Sequence, residues 1–192
     1  MKIYDISQEL LSSSVYEGDP TPEKIQIKNA RDDGYNLSCI SMCAHNGTHI
    51  DAPYHFLDDG KTVDKMDISA FVGECLVVSH AGDVSNTNAE KIVAMAGCPR
   101  ILIKGDAKVT RDAARVFADS DILLVGCEGQ SVGDINAPAE VHKILLSRGV
   151  ALLEGIVLQN VPDGKYFLSS APLNIAGADG SPCRAILIDF LG

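Results

Sequence analysis

Up to Gly60 the chain offers apolar runs and turn signals but no helical periodicity, and this asymmetry limits its fold more than any other feature. KIYDI, KIQI and NLSCISMCA fall in that stretch; CLVVSH, RILIKG, DILLVGC, VALLEG, GIVLQN, KYFLSS and RAILIDF follow it. Their lengths and branched residues predict strands, several buried on both faces. Helical patterns begin later, at NAEKIVAMAG (88–97), TRDAARVFADS (110–120) and APAEVHKILLSRG (137–149), each followed closely by a strand. Thr110 is placed to cap the second, and Arg148-Gly149 to stop the third. The expectation is one mixed α/β domain over residues 1–192, with a β-rich core. A doubly wound nucleotide fold would need helices in the first third, and neither a GxGxxG nor a P-loop occurs.

Acidic residues outnumber basic ones by 26 to 16, for a net charge of −10, and no Lys or Arg cluster forms a phosphate track. Nucleic acid and anionic membrane surfaces are therefore poor partners. No run reaches the ~18 apolar residues of a membrane span. The start, MKIYDISQEL, lacks the apolar stretch of a signal peptide. Six cysteines without a CxxC pair, most of them inside apolar runs, fit a reducing cytoplasm.

Against that background HNGTHIDAPYH (45–55) stands out, because three of the chain's five histidines and an aspartate share eleven positions. These residue types bind divalent metals through nitrogen and oxygen. On a flat strand His45 and His49 would lie about 13 Å apart at ~3.3 Å per residue, too far to share an ion. The chain must bend or coil there. A helical turn would serve, but Gly47, Thr48, Ile50 and Pro53 disfavour a helix, and Asn46-Gly47 favours a bend. Pro53 stiffens the exit toward His55. Metal binding by this cluster of His45, His49, Asp51 and His55 is the reading adopted over a polar loop. Cys39 and Cys43, flanked by apolar residues, read as core, and His80 as a polar strand end. Glu154, after four apolar residues, is a buried strand-end charge that needs a partner. His142 lies beside the apolar stripe of its helix and can meet Glu154 across the Gly149 connection.

The pattern His-x-Gly-Thr-His-x-Asp-x-Pro-x-His, followed by a helix His and a strand-end Glu-Gly, resembles the cyclase family of metal-dependent hydrolases. That family includes bacterial kynurenine formamidases and isatin hydrolases. The likeness extends over MKIYDIS, YEGDPTP (16–22), GCEGQSVGD (126–134) and HKILLSRGVALLEGIVLQNV (142–161). It implies a swivelling β/β/α-type fold and a homodimer or higher homo-oligomer. It also implies His45, His49 and Asp51 on a first metal, with Asp51 bridging to a second completed by His142 and Glu154. His55 would be the general acid/base. Zinc is usual in the formamidases, manganese in isatin hydrolase, so one or two divalent ions per chain are expected. The chain departs from the formamidase pattern at Glu128, which is expected to alter the pocket, and in having no Trp. Tyr16, Tyr54 and Phe56 are candidates for the aromatic wall, with Asp19, Gln130 and Ser131 as further substrate contacts.

The function expected is cleavage of the C–N bond of a small formamide or cyclic amide, with N-formylkynurenine as first candidate. The alternatives are a lactam, imide or lactone hydrolase of the same family, and a metal-dependent small-molecule binding protein without turnover.

Overall fold

A computed structural model describes residues 1–190. After β1 (Lys2–Asp5) come the hairpin strands β2 (Glu23–Lys28) and β3 (Leu37–Ser41), with the single-turn helix α1 (Ala30–Asp33) at their tip. The histidine motif supplies β4 (His49–Asp51). Next are β5 (Val72–Ser79), β6 (Gly82–Val84), α2 (Asn86–Ala96), β7 (Arg100–Lys104) and β8 (Ala107–Val109). Then follow α3 (Arg111–Ala118), β9 (Leu124–Cys127), α4 (Ala139–Ser147) and β10 (Ala151–Glu154). The chain finishes with β11 (Gly164–Ser169), β12 (Gly180–Pro182) and β13 (Ile186–Asp189).

Nine strands form one mixed sheet in the order β1-β13-β11-β5-β7-β9-β10-β4-β12. Its centre, β5-β7-β9-β10, is parallel, and antiparallel strands flank it on both sides. Strand alternation sends Leu76, Ile101, Ile103, Val125 and Leu152 to one face and Cys75, Val77, Leu102, Leu124 and Leu153 to the other. Both sets are buried, which is why these segments read as continuous apolar runs. Helices α2, α3 and α4 cover the first face with Ile92, Phe117 and Leu145. On the second face the sheet curls, bringing Tyr166, Leu168 and Leu187 of β11 and β13 against Leu102 and Leu153. Two β layers with helices outside is the swivelling β/β/α arrangement expected.

Helix ends follow local chemistry. Ser85 and Asn88 form a capping box, so α2 begins before its apolar pattern does. The Thr110 hydroxyl accepts from Ala113 N–H at 3.3 Å, a cap worth about 1 kcal/mol. Gly149, at φ +77°, takes the left-handed turn after α4 that returns the chain to β10.

Two expectations fail. GIVLQN is not a strand, because Gly155 at φ +67° breaks the extended path and leaves only an isolated bridge from Ile156 to Ser7. The run NLSCISMCA does not enter the core: every residue of β3 is exposed, Cys39 included, and Cys43 is half-buried. Apolar composition marked it for burial, but its hairpin stands outside both core clusters.

Candidate metal centre

Register builds the site. β4 lies antiparallel to β10 with His49 opposite Glu154 and Asp51 opposite Leu152, and β12 covers its other edge with Gly180 opposite Asp51. Alternation turns Ile50 into the second core cluster, which sends His49 and Asp51 to the helix side with Glu154. Helix α4 packs on that side and carries His142. The bend sits at Gly47, φ +66°, as the Asn-Gly signal indicates. It brings His45 back beside Asp51.

Asp51 and Glu154 are 1% and 3% exposed, so both charges need partners. Among the described residues those ion-pair partners are all histidines. Asp51 Oδ1 lies 2.8 Å from His45 Nδ1 and 3.4 Å from His49 Nε2, while its Oδ2 lies 3.4 Å from His142 Nε2. Glu154 Oε1 is 3.1 Å from His142 Nε2 and Oε2 is 3.6 Å from His49 Nε2. Asp51 thus faces imidazoles with both oxygens. Donor atoms within 4.8 Å of one another form two groups, His45–Asp51–His55 and His49–Asp51–Glu154, and Asp51 belongs to both.

The outer ring nitrogens are held by oxygen. His49 Nδ1 meets the Gly47 carbonyl at 3.0 Å and His142 Nδ1 the Pro138 carbonyl at 2.8 Å. Donation from Nδ1 to a carbonyl makes Nε2 the nitrogen that faces the carboxylates, where it donates while protonated and offers its lone pair to a cation once that proton leaves. Buried carboxylates surrounded by oriented imidazoles, without Lys or Arg, suit a divalent cation.

Charge explains the titration pattern. Burial pulls His45, His49 and His142 down, but hydrogen bonds and charge from Asp51, joined by Glu154 for the last two, outweigh it and raise all three, His142 to about 10. Burial would raise Asp51, yet hydrogen bonds from His142, His45 and His49 hold it well below the carboxylate range. These protons occupy the place of a cation, and metal binding would release them. His55 behaves oppositely: burial, with the charges of His45 and His142, outweighs attraction to Asp51 and Asp179 and holds it below its usual value.

The cluster floors a cavity of about 240 Å³. Of the expected substrate contacts, Tyr16, Asp19, Phe56, Gln130 and Ser131 line it, and Tyr54 does not. Residues Pro53–His55 form a 3-10 turn in which successive side chains diverge by about 120°, so His55 faces the cavity while Tyr54 is 44% exposed. Glu128 is also absent from this wall. Its carboxylate instead accepts from the Gly105 and Leu158 amides at 2.7 Å, tying the loop after β7 to the one after β10. His80 follows β5 as expected and bonds the Asp83 carbonyl at 3.1 Å. Sequence reasoning missed Asp179, whose Oδ2 lies 2.9 Å from His45 Nε2 and 3.3 Å from His55 Nδ1. It sits 134 positions from His45, in an Asp-Gly-Ser-Pro stretch that reads only as a turn.

No described helix is long and apolar enough to cross a membrane. The model of the Cyclase family matches residues 4–134. A kynurenine formamidase of Salinibacter ruber is 31% identical, with 98% of each chain covered. Another, of Bacillus thuringiensis, is 32% identical over 95% of each. A structure from Bacillus stearothermophilus, described as that of a predicted metal-dependent hydrolase, superposes with TM-score 0.80 at 29% identity, covering 97% of each chain. Isatin hydrolase A of Labrenzia aggregata shares the fold, with TM-score 0.84 at 22% identity over 97% of this chain and 93% of its own. Matched in family profile, full-length relatives and fold, the chain belongs to the cyclase family of hydrolases.

Proposed function

We propose that this chain is a metal-dependent amidohydrolase that cleaves a small formamide or cyclic amide, with an arylformamidase acting on N-formylkynurenine as the leading case. The observation that carries the reading is the convergence of His45, His49, Asp51, His142 and Glu154 beneath a cavity into which a further imidazole, His55, projects. Relatives over the whole chain that bear the name kynurenine formamidase support the formamide. Tyr16 and Phe56 on the cavity wall suit an aryl group.

A divalent ion, zinc first and manganese as alternative, would be held singly or as a pair by those five residues, and would acidify a water and polarise the amide carbonyl. The protein's own part is proton transfer and orientation. With its pKa below the usual value, the His55 ring is neutral at pH 7 and can take a proton from the attacking water. It then returns that proton to the leaving nitrogen, without which the amine could not depart. Tyr16 donates from its hydroxyl to the Ile135 carbonyl at 3.0 Å, bracing two loops over the cavity.

The same proposal includes a homodimer or higher homo-oligomer, supported by the hairpin β2–β3, where Ile25, Ile27, Leu37 and Ile40 are all exposed. Six free cysteines fit a cytoplasmic site. The test is turnover of a panel of formanilides, lactams, imides and lactones by protein stripped of metal and reloaded with zinc or manganese. Metal-dependent formanilide hydrolysis is expected. A preference for lactams or lactones would move the activity within the family, and ligand binding without turnover on any of them would make the chain a binding protein.

A further inference from the structure

One carboxylate outside the five converging donors touches two of the site's imidazoles. Asp179 Oδ2 lies 2.9 Å from His45 Nε2 and 3.3 Å from His55 Nδ1, and those rings are 4.0 Å apart, tilted by 30°. Backbone pairing fixes where it stands. The Asp179 carbonyl accepts from Ala52 N–H at 2.9 Å, and the next residue, Gly180, pairs with Asp51 across β12 and β4.

Gly180 is part of the same device. A Cβ there would lie 2.6 Å from His45 Cε1 and 3.1 Å from its Nε2, so a glycine lets the ring approach β12 closely with its outer nitrogen on Asp179. What the Gly47 and Pro138 carbonyls do for His49 and His142, Asp179 does for His45. A carboxylate accepts hydrogen bonds and donates none, so each ring presents N–H to it. His45 is left with Nδ1 as the nitrogen on Asp51, open to a cation once its proton is released, and His55 with Nε2 as its basic nitrogen.

We infer that Asp179 is a positioning residue of this site, whose single carboxylate sets ring orientation and tautomer for the ligand His45 and the base His55 together. The kinetic part of this inference rests on the hydrolase reading above; the structural part does not.

The experiment compares wild type with Asp179→Ala and Asp179→Glu. Long-range ¹H–¹⁵N spectra of the histidine rings in metal-free protein report the His55 tautomer. Nδ1–H is expected in wild type, with Nε2–H populated in Asp179→Ala. Because Asp179 is 43% exposed at its side chain, the alanine variant should fold, which its thermal transition checks. With zinc loading verified by metal analysis, kcat should fall about 10–100-fold while KM stays within about threefold, the usual effect of losing a residue that orients a ligand. Asp179→Glu, which keeps the acceptor, should recover part of kcat. An unchanged His55 tautomer in Asp179→Ala would overturn the inference. So would loss of a bound ion at saturating zinc, which would make Asp179 a ligand. If wild type hydrolyses nothing in the panel, the hydrolase reading fails while the spectra still decide the role of Asp179.

Discussion

His49 and His142 sit on unrelated elements yet are wired alike, each with Nδ1 on a backbone carbonyl and Nε2 on buried carboxylates. Replacing His49 by Ala leaves the two carboxylates facing each other without that imidazole. Metal content measured on the purified variant should fall by at least one ion per chain, with turnover lost alongside; a fully loaded His49→Ala protein would refute the ligand assignment. For His55→Ala the expectation differs: most of the metal stays and kcat drops roughly 10²–10⁴-fold, the scale of an acid–base group. Metal lost together with rate would instead place His55 in the shell with His45 and Asp51, whose donor atoms it approaches. The histidines also set a pH dependence. His142, raised to about 10 from an unfolded value near 6.5, stabilises metal-free protein fully below about pH 6.5, and that contribution disappears as pH rises toward 10. Bound metal takes over the protons' role, so the gap in Tm between metal-loaded and chelator-treated protein should widen from pH 6.5 to 10. Thermal scans across that range check it, and a constant gap would contradict the carboxylate contacts drawn for His142.

At the scale of elements, much of the fold was legible because local chemistry and tertiary demand agree. Thr110, Gly149 and the apolar periodicity mark α3 and α4, and the both-face burial of β5, β7, β9 and β10 leaves continuous Val/Ile/Leu runs. The cluster in the motif was legible from its density: four residues of metal-binding type share eleven positions, and the fold brings their side chains together. Short strands were not. β4 carries a histidine and an aspartate where a strand pattern wants apolar residues, and β12 exists only through pairing with it. Asp179 inherits that obscurity, and the outward turn of Tyr54 is a three-residue local geometry that composition cannot reveal. Gly155 ends β10 where the apolar run continues. A Cβ there would lie 2.5 Å from the Gly47 carbonyl, the same oxygen that holds His49 Nδ1. Gly155→Ala should therefore cost about 2 kcal/mol or more from left-handed strain and the clash, read by urea unfolding, and should weaken metal binding as well.

On the scale of the whole molecule, the hairpin β2–β3 is the place where sequence and monomer disagree. Its isoleucines are too apolar for a solvated arm, and a two-stranded hairpin alone is marginal in water. Placing Asp at Ile25 and at Ile40 should shift the assembly to monomer by light scattering, with little change in the helices and central sheet. A wild type that is already monomeric would remove the basis of the oligomer proposal. The sheet order has its own consequence for how the protein is made. β1 waits for β13, and β4 has β10 on one side and β12 on the other, so first and last strands close the structure. On the ribosome, the histidine motif emerges about a hundred residues before Glu154, some 5–20 s earlier at common elongation rates of ~5–20 residues per second. A nascent chain thus displays three histidines and an aspartate to the cell's metals well before it possesses the pocket that would discriminate among them.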